Sequence, residues 1–137
     1  MTYIDEIHPG MTAQTAKTIT EADILMFAAV STDTNPVHIN AEAAAKSQFG
    51  ERIAHGMLSA GLISAVLGTQ LPGPGSIYLG QTLRFRAPVK IGDTVTARVE
   101  VTAVDVAKKR ATLKTECFVA GKLVIEGEAV VMPPSRP

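Results

Sequence analysis

Asp33 and His38 are the first residues whose chemistry stands out, within Ser31-Thr32-Asp33-Thr34-Asn35-Pro36-Val37-His38-Ile39-Asn40. A carboxylate and an imidazole can together hold and deprotonate one water molecule, provided both reach it. In a continuous helix, residues five apart differ by about 140° around the axis and diverge. In an extended strand they stand roughly 17 Å apart. A turn centred on Asn35-Pro36 removes both obstacles, because Pro fixes its own φ and Asn accepts turn geometry while bonding nearby backbone. The same residues also suit plain structure, with Asp33 closing a turn and His38 a satisfied, half-buried ring. Spacing alone leaves the two readings level. It disfavours a metal site, since no second His or carboxylate stands at ligand spacing within either flanking helix.

The second chemical segment is Ala54-His55-Gly56-Met57. A glycine opening a helix leaves a backbone N–H that a ligand oxygen can approach without meeting a Cβ. The partial positive charge at a helix start suits a carbonyl that becomes an oxyanion. Tight helix–sheet packing explains Gly56 equally well on its own. His55 reads as a positioning or structural residue rather than a catalytic one. Cys117, the single cysteine, lies in a strand-like stretch and reads as a buried structural thiol more than a nucleophile.

These segments need a scaffold, and the periodicity supplies one. A strand closes at Lys17-Thr18-Ile19. Thr20 then caps a helix over residues 21–30, with Asp23 at the capping-box position and Ile24, Phe27 and Ala28 on one face. Asn40 caps a second helix over residues 41–49, with Glu42 and Lys46 as an i,i+4 pair and Gly50 ending it. From Gly56 to about Gln70 the chain is apolar and small nearly all round, which predicts a helix buried on most sides. Pro72-Gly73-Pro74-Gly75 stops it. Four strands follow, and in one of them Val95, Ala97, Val99 and Val101 alternate with Thr96, Arg98, Glu100 and Thr102. The sum is an α+β domain, a meander on one buried helix, spanning residues 1–137 as one unit.

Composition narrows the partners. Of 137 residues, 46% are apolar, enough for a core without disulfides. Thirteen basic and thirteen acidic residues balance, which argues against nucleic acid or a membrane surface as partner. The apolar run from Met57 to Leu71 is too short and interrupted to span a bilayer, and the first ten residues lack a signal-peptide pattern. A soluble cytoplasmic protein is the expectation.

Four separated motifs then share one resemblance. D-T-N-P-V-H, A-H-G-M-L-S-A-G-L-I-S, G-S-I-Y-L-G-Q-T-L-R-F and P-V-K-I-G-D-T-V together resemble the MaoC-like (R)-specific enoyl-CoA hydratases, over roughly residues 20–131. The resemblance implies a hot-dog fold, an antiparallel sheet wrapped around a central buried helix, paired into a homodimer. It implies reversible syn addition of water to a trans-2-enoyl-CoA, giving an (R)-3-hydroxyacyl-CoA, with no cofactor beyond the coenzyme A of the substrate. The family's acid and histidine fall on Asp33 and His38, its intervening amide on Asn35 and its helix-start glycine on Gly56. Which of the dyad is base and which acid stays open. Ser59, Ser64, Leu67 and Val131 are candidates for the acyl pocket wall. Arg84, Arg86 and Lys90 are candidates for coenzyme A phosphates, with solvated charges the competing reading. A hot-dog thioesterase or a non-catalytic acyl-CoA-binding subunit are the alternatives, and the Asp-to-His pair weighs against both. Acyl chain length, acyl carrier protein as the alternative carrier, and the pathway (polyhydroxyalkanoate precursor supply, fatty-acid metabolism or short-chain carbon assimilation) stay open.

Overall fold

The alternating Val95, Ala97, Val99 and Val101 form the inner face of an interior strand, each no more than 1% exposed. That strand sits in a five-stranded antiparallel sheet, described here in a computed structural model covering Met1–Pro137. The elements run β1 (Thr12–Thr18), α1 (Glu21–Ser31), α2 (Pro36–Ile39), α3 (Ala41–Ala45), α4 (Gly56–Thr69), β2 (Ile77–Phe85), β3 (Thr94–Asp105), β4 (Arg110–Val119) and β5 (Lys122–Met132). The sheet order is β1-β3-β4-β5-β2, so β2 crosses over to an edge. Helix α4 lies in the curl of the sheet, and its Ile63, Val66 and Leu67 join one core with Val95, Val99, Leu113, Ile125 and Val131. This is the expected antiparallel sheet wrapped around a helix. No helix is long and apolar enough to cross a membrane.

Local chemistry sets the helix boundaries. Thr20 Oγ1 accepts from Asp23 N–H, and Asp23 returns the bond to Thr20 N–H, which closes the capping box. The Lys17 ammonium and the Thr20 N–H hold the Asp23 carboxyl below its ordinary range. Asn40 caps α3 through Ala43 N–H, but α3 stops at Ala45 instead of running to residue 49. Ser47 is the reason: its hydroxyl donates to Ala44 O and accepts from Phe49 N–H, offering the backbone a non-helical alternative. No Glu42–Lys46 ion pair forms, and Lys46 is the C-cap of α3.

Helix α4 departs from expectation on one side. Ser59, Ala60, Ile63, Val66 and Leu67 are buried, whereas Gly61, Ser64, Ala65 and Gly68 face outward. Small residues on that face mimic a fully packed helix in the sequence. In a single chain nothing covers them. Edge strand β2 runs alongside with Ile77, Tyr78 and Leu79 half exposed.

Candidate active site

The route to the site starts where α1 ends. Thr32 takes a left-handed conformation (φ 66°) as the C-cap, which turns the chain sharply after Ser31. Asp33 N–H donates to Ser31 Oγ, and Asp33 Oδ1 then accepts from Asn35 N–H. Asn35 Oδ1 accepts from Val37 N–H and caps α2, with Pro36 in its first turn, where a missing N–H costs nothing. A turn followed by one turn of helix thus replaces the simple Asn-Pro turn expected from spacing. Asp33 Oδ2 ends 3.9 Å from His38 Nε2.

Residues 52 and 53 clamp His38 from the other side. Ile53 N–H donates to Val37 O, and Arg52 Nε–H donates to His38 O at 2.7 Å. The imidazole Nδ1 stands 2.8 Å from Ile53 O. A carbonyl can only accept, so Nδ1 carries the proton and Nε2 presents its lone pair toward Asp33. Arg52 reaches Glu21 through Nη1, tying this clamp to the start of α1. Ala54 N–H donates to Val89 O, which fastens the strap to the sheet side. An ionised carboxylate and a neutral Nε2 are both acceptors. Facing each other at 3.9 Å they cannot bond directly, and one water can donate a proton to each.

His55 completes the arrangement. It is 2% exposed, its ring stacks on His38 with centroids 3.8 Å apart, and its Nε2–H donates to Asp33 O at 2.9 Å. Asp33, His38 and His55 therefore gather potential ligand atoms within 4.8 Å. Spacing along the chain concealed this third member. Stacked rings direct their in-plane lone pairs side by side, not toward one point, which is poor geometry for the tetrahedral site that His and carboxylate ligands favour.

These groups open on a cavity of about 640 Å³ whose wall also includes Phe27, Phe49, Met57, Phe85 and Pro88. An apolar pocket of this size with a few convergent polar groups suits an acyl substrate. Gly56 is in the wall, and the first turn of α4 has no side-chain cap. No backbone acceptor takes the Gly56 N–H. A Cβ there would lie 2.5 Å from Phe85 Cε1, so glycine allows the aromatic ring and the free N–H to share one corner.

The family described as MaoC like domain matches residues 6–127. This chain belongs to the MaoC-like family. It is 60% identical over 134 residues to an (R)-specific enoyl-CoA hydratase of Rhodospirillum rubrum, a match covering 98% of this chain and 93% of that protein. A 3-hydroxybutyryl-CoA dehydratase of Methylorubrum extorquens is 47% identical, with 98% and 85% covered. Among solved structures, an unliganded R-hydratase of Pseudomonas aeruginosa superposes with TM-score 0.92 at 51% identity, covering 98% of this chain and 86% of that one. An (R)-hydratase from Aeromonas caviae involved in PHA biosynthesis gives 0.90 at 50% identity, with 93% and 98% covered. The fold of this MaoC-like chain is the hot-dog fold.

The structure distributes the remaining candidates of this MaoC-like chain unevenly. Ser59 borders the cavity. Leu67 and Val131, at 2% and 1% exposed, do not line it, because they point inward to the sheet–helix core. Ser64 lines a separate groove with Met57, Gly61, Tyr78 and Leu79. Of the three candidate phosphate contacts only Arg86 borders the cavity, and it pairs with Glu126 at 2.6 Å. Lys90 pairs with Glu51 at 3.3 Å, and Arg84 lies in another groove with Lys114 and Glu116. Arg52, Ile53, Phe27 and Phe85 are site residues that sequence reasoning missed. Their contacts join segments far apart in the chain, and no local pattern signals that. Burial pushes the Cys117 thiol up to about 12, and it sits outside the cavity wall.

Proposed function

We propose that the chain is an (R)-specific enoyl-CoA hydratase that adds water reversibly to trans-2-enoyl-CoA thioesters. The observation that carries this is the Asp33 Oδ2–His38 Nε2 gap of 3.9 Å at the wall of an apolar cavity. A water held there donates one hydrogen to each acceptor, leaving an oxygen lone pair free to attack C3. As the C3–O bond forms, one water proton passes to the dyad and the C2–C3 π electrons move to C2. Negative charge spreads onto the thioester oxygen, which the Gly56 N–H and the α4 dipole stabilise. The dyad then returns a proton to C2 from the same face, so the addition is syn and the dyad ends as it began. Dehydration is the same path reversed, in keeping with the dehydratase among the relatives. Nothing in these steps calls for a metal or redox group.

The working unit is a homodimer. Outward-facing Gly61 and Ser64 on α4 and half-exposed Leu79 and Tyr78 on β2 line one groove of about 420 Å³, and a second copy of this chain would cover it. A cytoplasmic location belongs to the same reading, a compartment in which a lone thiol stays reduced.

The test follows loss of enoyl conjugation with crotonyl-CoA and octenoyl-CoA, and assigns the hand of the product. An (R)-3-hydroxyacyl-CoA supports the reading; an (S) product, or none, refutes it. Release of free thiol without hydration would indicate a thioesterase.

A further inference from the structure

Three buried polar atoms near the dyad lack any partner, Arg52 Nη2, His55 Nδ1 and Ser59 Oγ, and the last two make a pair. Their chemistry is complementary. His55 Nε2 must carry the ring proton to reach Asp33 O, so in the neutral ring Nδ1 is a bare acceptor. Ser59 is a hydroxyl with a proton to give. The two stand at i and i+4, with His55 the N-cap of α4 and Ser59 in its first turns. Within the helix each Cα–Cβ bond tilts toward the N-terminus, so the Ser59 side chain leans back over the turn that follows His55. Ser59 borders the cavity yet is 0% exposed with its Oγ unpartnered, so the hydroxyl needs a protein group or a buried water as partner. Leaving both atoms unpaired would cost their full desolvation.

We propose that Ser59 is a positioning residue that supplies the donor His55 Nδ1 lacks, reached by rotation about χ1 or through one buried water. The bond holds His55 in the Nε2–H tautomer. That tautomer anchors the main chain of Asp33, and the same ring supports His38 by stacking at 3.8 Å. Ser59 thereby acts on both members of the dyad through His55. The inference rests on the hydratase reading for its kinetic arm only.

Imidazole-¹⁵N-labelled protein reports the His55 tautomer by NMR, and steady-state hydration of crotonyl-CoA reports the dyad. In Ser59→Ala the single Nε2–H signature of His55 gives way to a mixture, and kcat falls about tenfold with KM within about twofold. Ser59→Thr restores both. Where Ser59→Ala does not fold, Ser59→Cys keeps the shape with a much weaker donor and takes its place. An unchanged His55 signature in the variant, an unchanged kcat, or a loss expressed in KM alone overturns the proposal. Wild-type protein without hydratase activity would sink the proposed function, while the NMR arm would still decide this inference.

Discussion

Two acceptors facing each other across 3.9 Å define this site at the scale of the residue, and the proposed mechanism places one water molecule between them. Ile53 O accepts a hydrogen bond from His38 Nδ1–H, and Asn35 N–H donates to Asp33 Oδ1, which leaves Nε2 and Oδ2 as the two free acceptors. Replacing Asp33 by Asn retains an oxygen for the Asn35 N–H but turns an amide donor toward Nε2. A water between the two groups then loses one of its two acceptors. Hydration by Asp33→Asn should fall on the order of 10²- to 10⁴-fold, the usual worth of a general acid or base, with circular dichroism and thermal midpoint unchanged. Near-normal turnover would remove Asp33 from the mechanism. His38→Ala should behave likewise in the same assay.

Elements hold these residues through a few cross-links. The strap at residues 52–54 bonds α2 at Val37 O, His38 O and the His38 ring. Arg52→Lys keeps the charge but loses the planar fork that serves His38 O and Glu21 together. It should cost about 1–3 kcal/mol of stability by denaturant titration and lower kcat more than it raises KM. A variant as stable and active as wild type would show the clamp to be idle. At the start of α4, Gly56→Ala sets a Cβ 2.5–2.6 Å from the Phe85 ring. Phe85 is 53% exposed, so the ring can move, and the free space beside it is the cavity. We expect a folded protein with kcat reduced on the order of 10²-fold, the effect of displacing substrate by about 1 Å. Adding Phe85→Leu to Gly56→Ala should recover much of the loss. Failure of that rescue would separate the glycine's role from the space it leaves.

At the scale of the whole molecule, the uncovered side of α4 and the edge of β2 form one surface. Unpaired strand edges with exposed apolar residues invite a partner, and here the groove beside the edge is lined by Met57, Gly61, Ser64 and Leu79. Leu79→Lys should convert a dimer into a monomer in sedimentation velocity. A wild-type protein that already sediments as a monomer would overturn the proposed homodimer. Ser64 belongs to this surface in a single chain, which accounts for its separation from the cavity around Asp33.

Long periodic segments were legible before any coordinates. Period-two burial marked β3, and an apolar run ending in Pro-Gly marked α4, because burial imposes its period on whichever residues must face the core. The hydrogen-bonding types at Thr20, Asp23 and Asn40 announced their caps, since capping is a local reaction between a side chain and the nearest backbone. One-turn α2 was not legible, because four residues carry no measurable period. Neither was the truncation of α3 by Ser47, where a single hydroxyl outweighs helical propensity. Asp33, His38 and Gly56 were visible as types and spacing, with their functional weight supplied by family resemblance. What only the tertiary structure decided was convergence: His55 against His38, Arg52 on the His38 carbonyl, Phe85 against Gly56, and Leu67 and Val131 turned inward. Such contacts depend on how α4 and the strap cross the sheet, a relation between distant segments. The sequence by itself determined which groups were present and what each could accept or donate. Folding determined which of them meet.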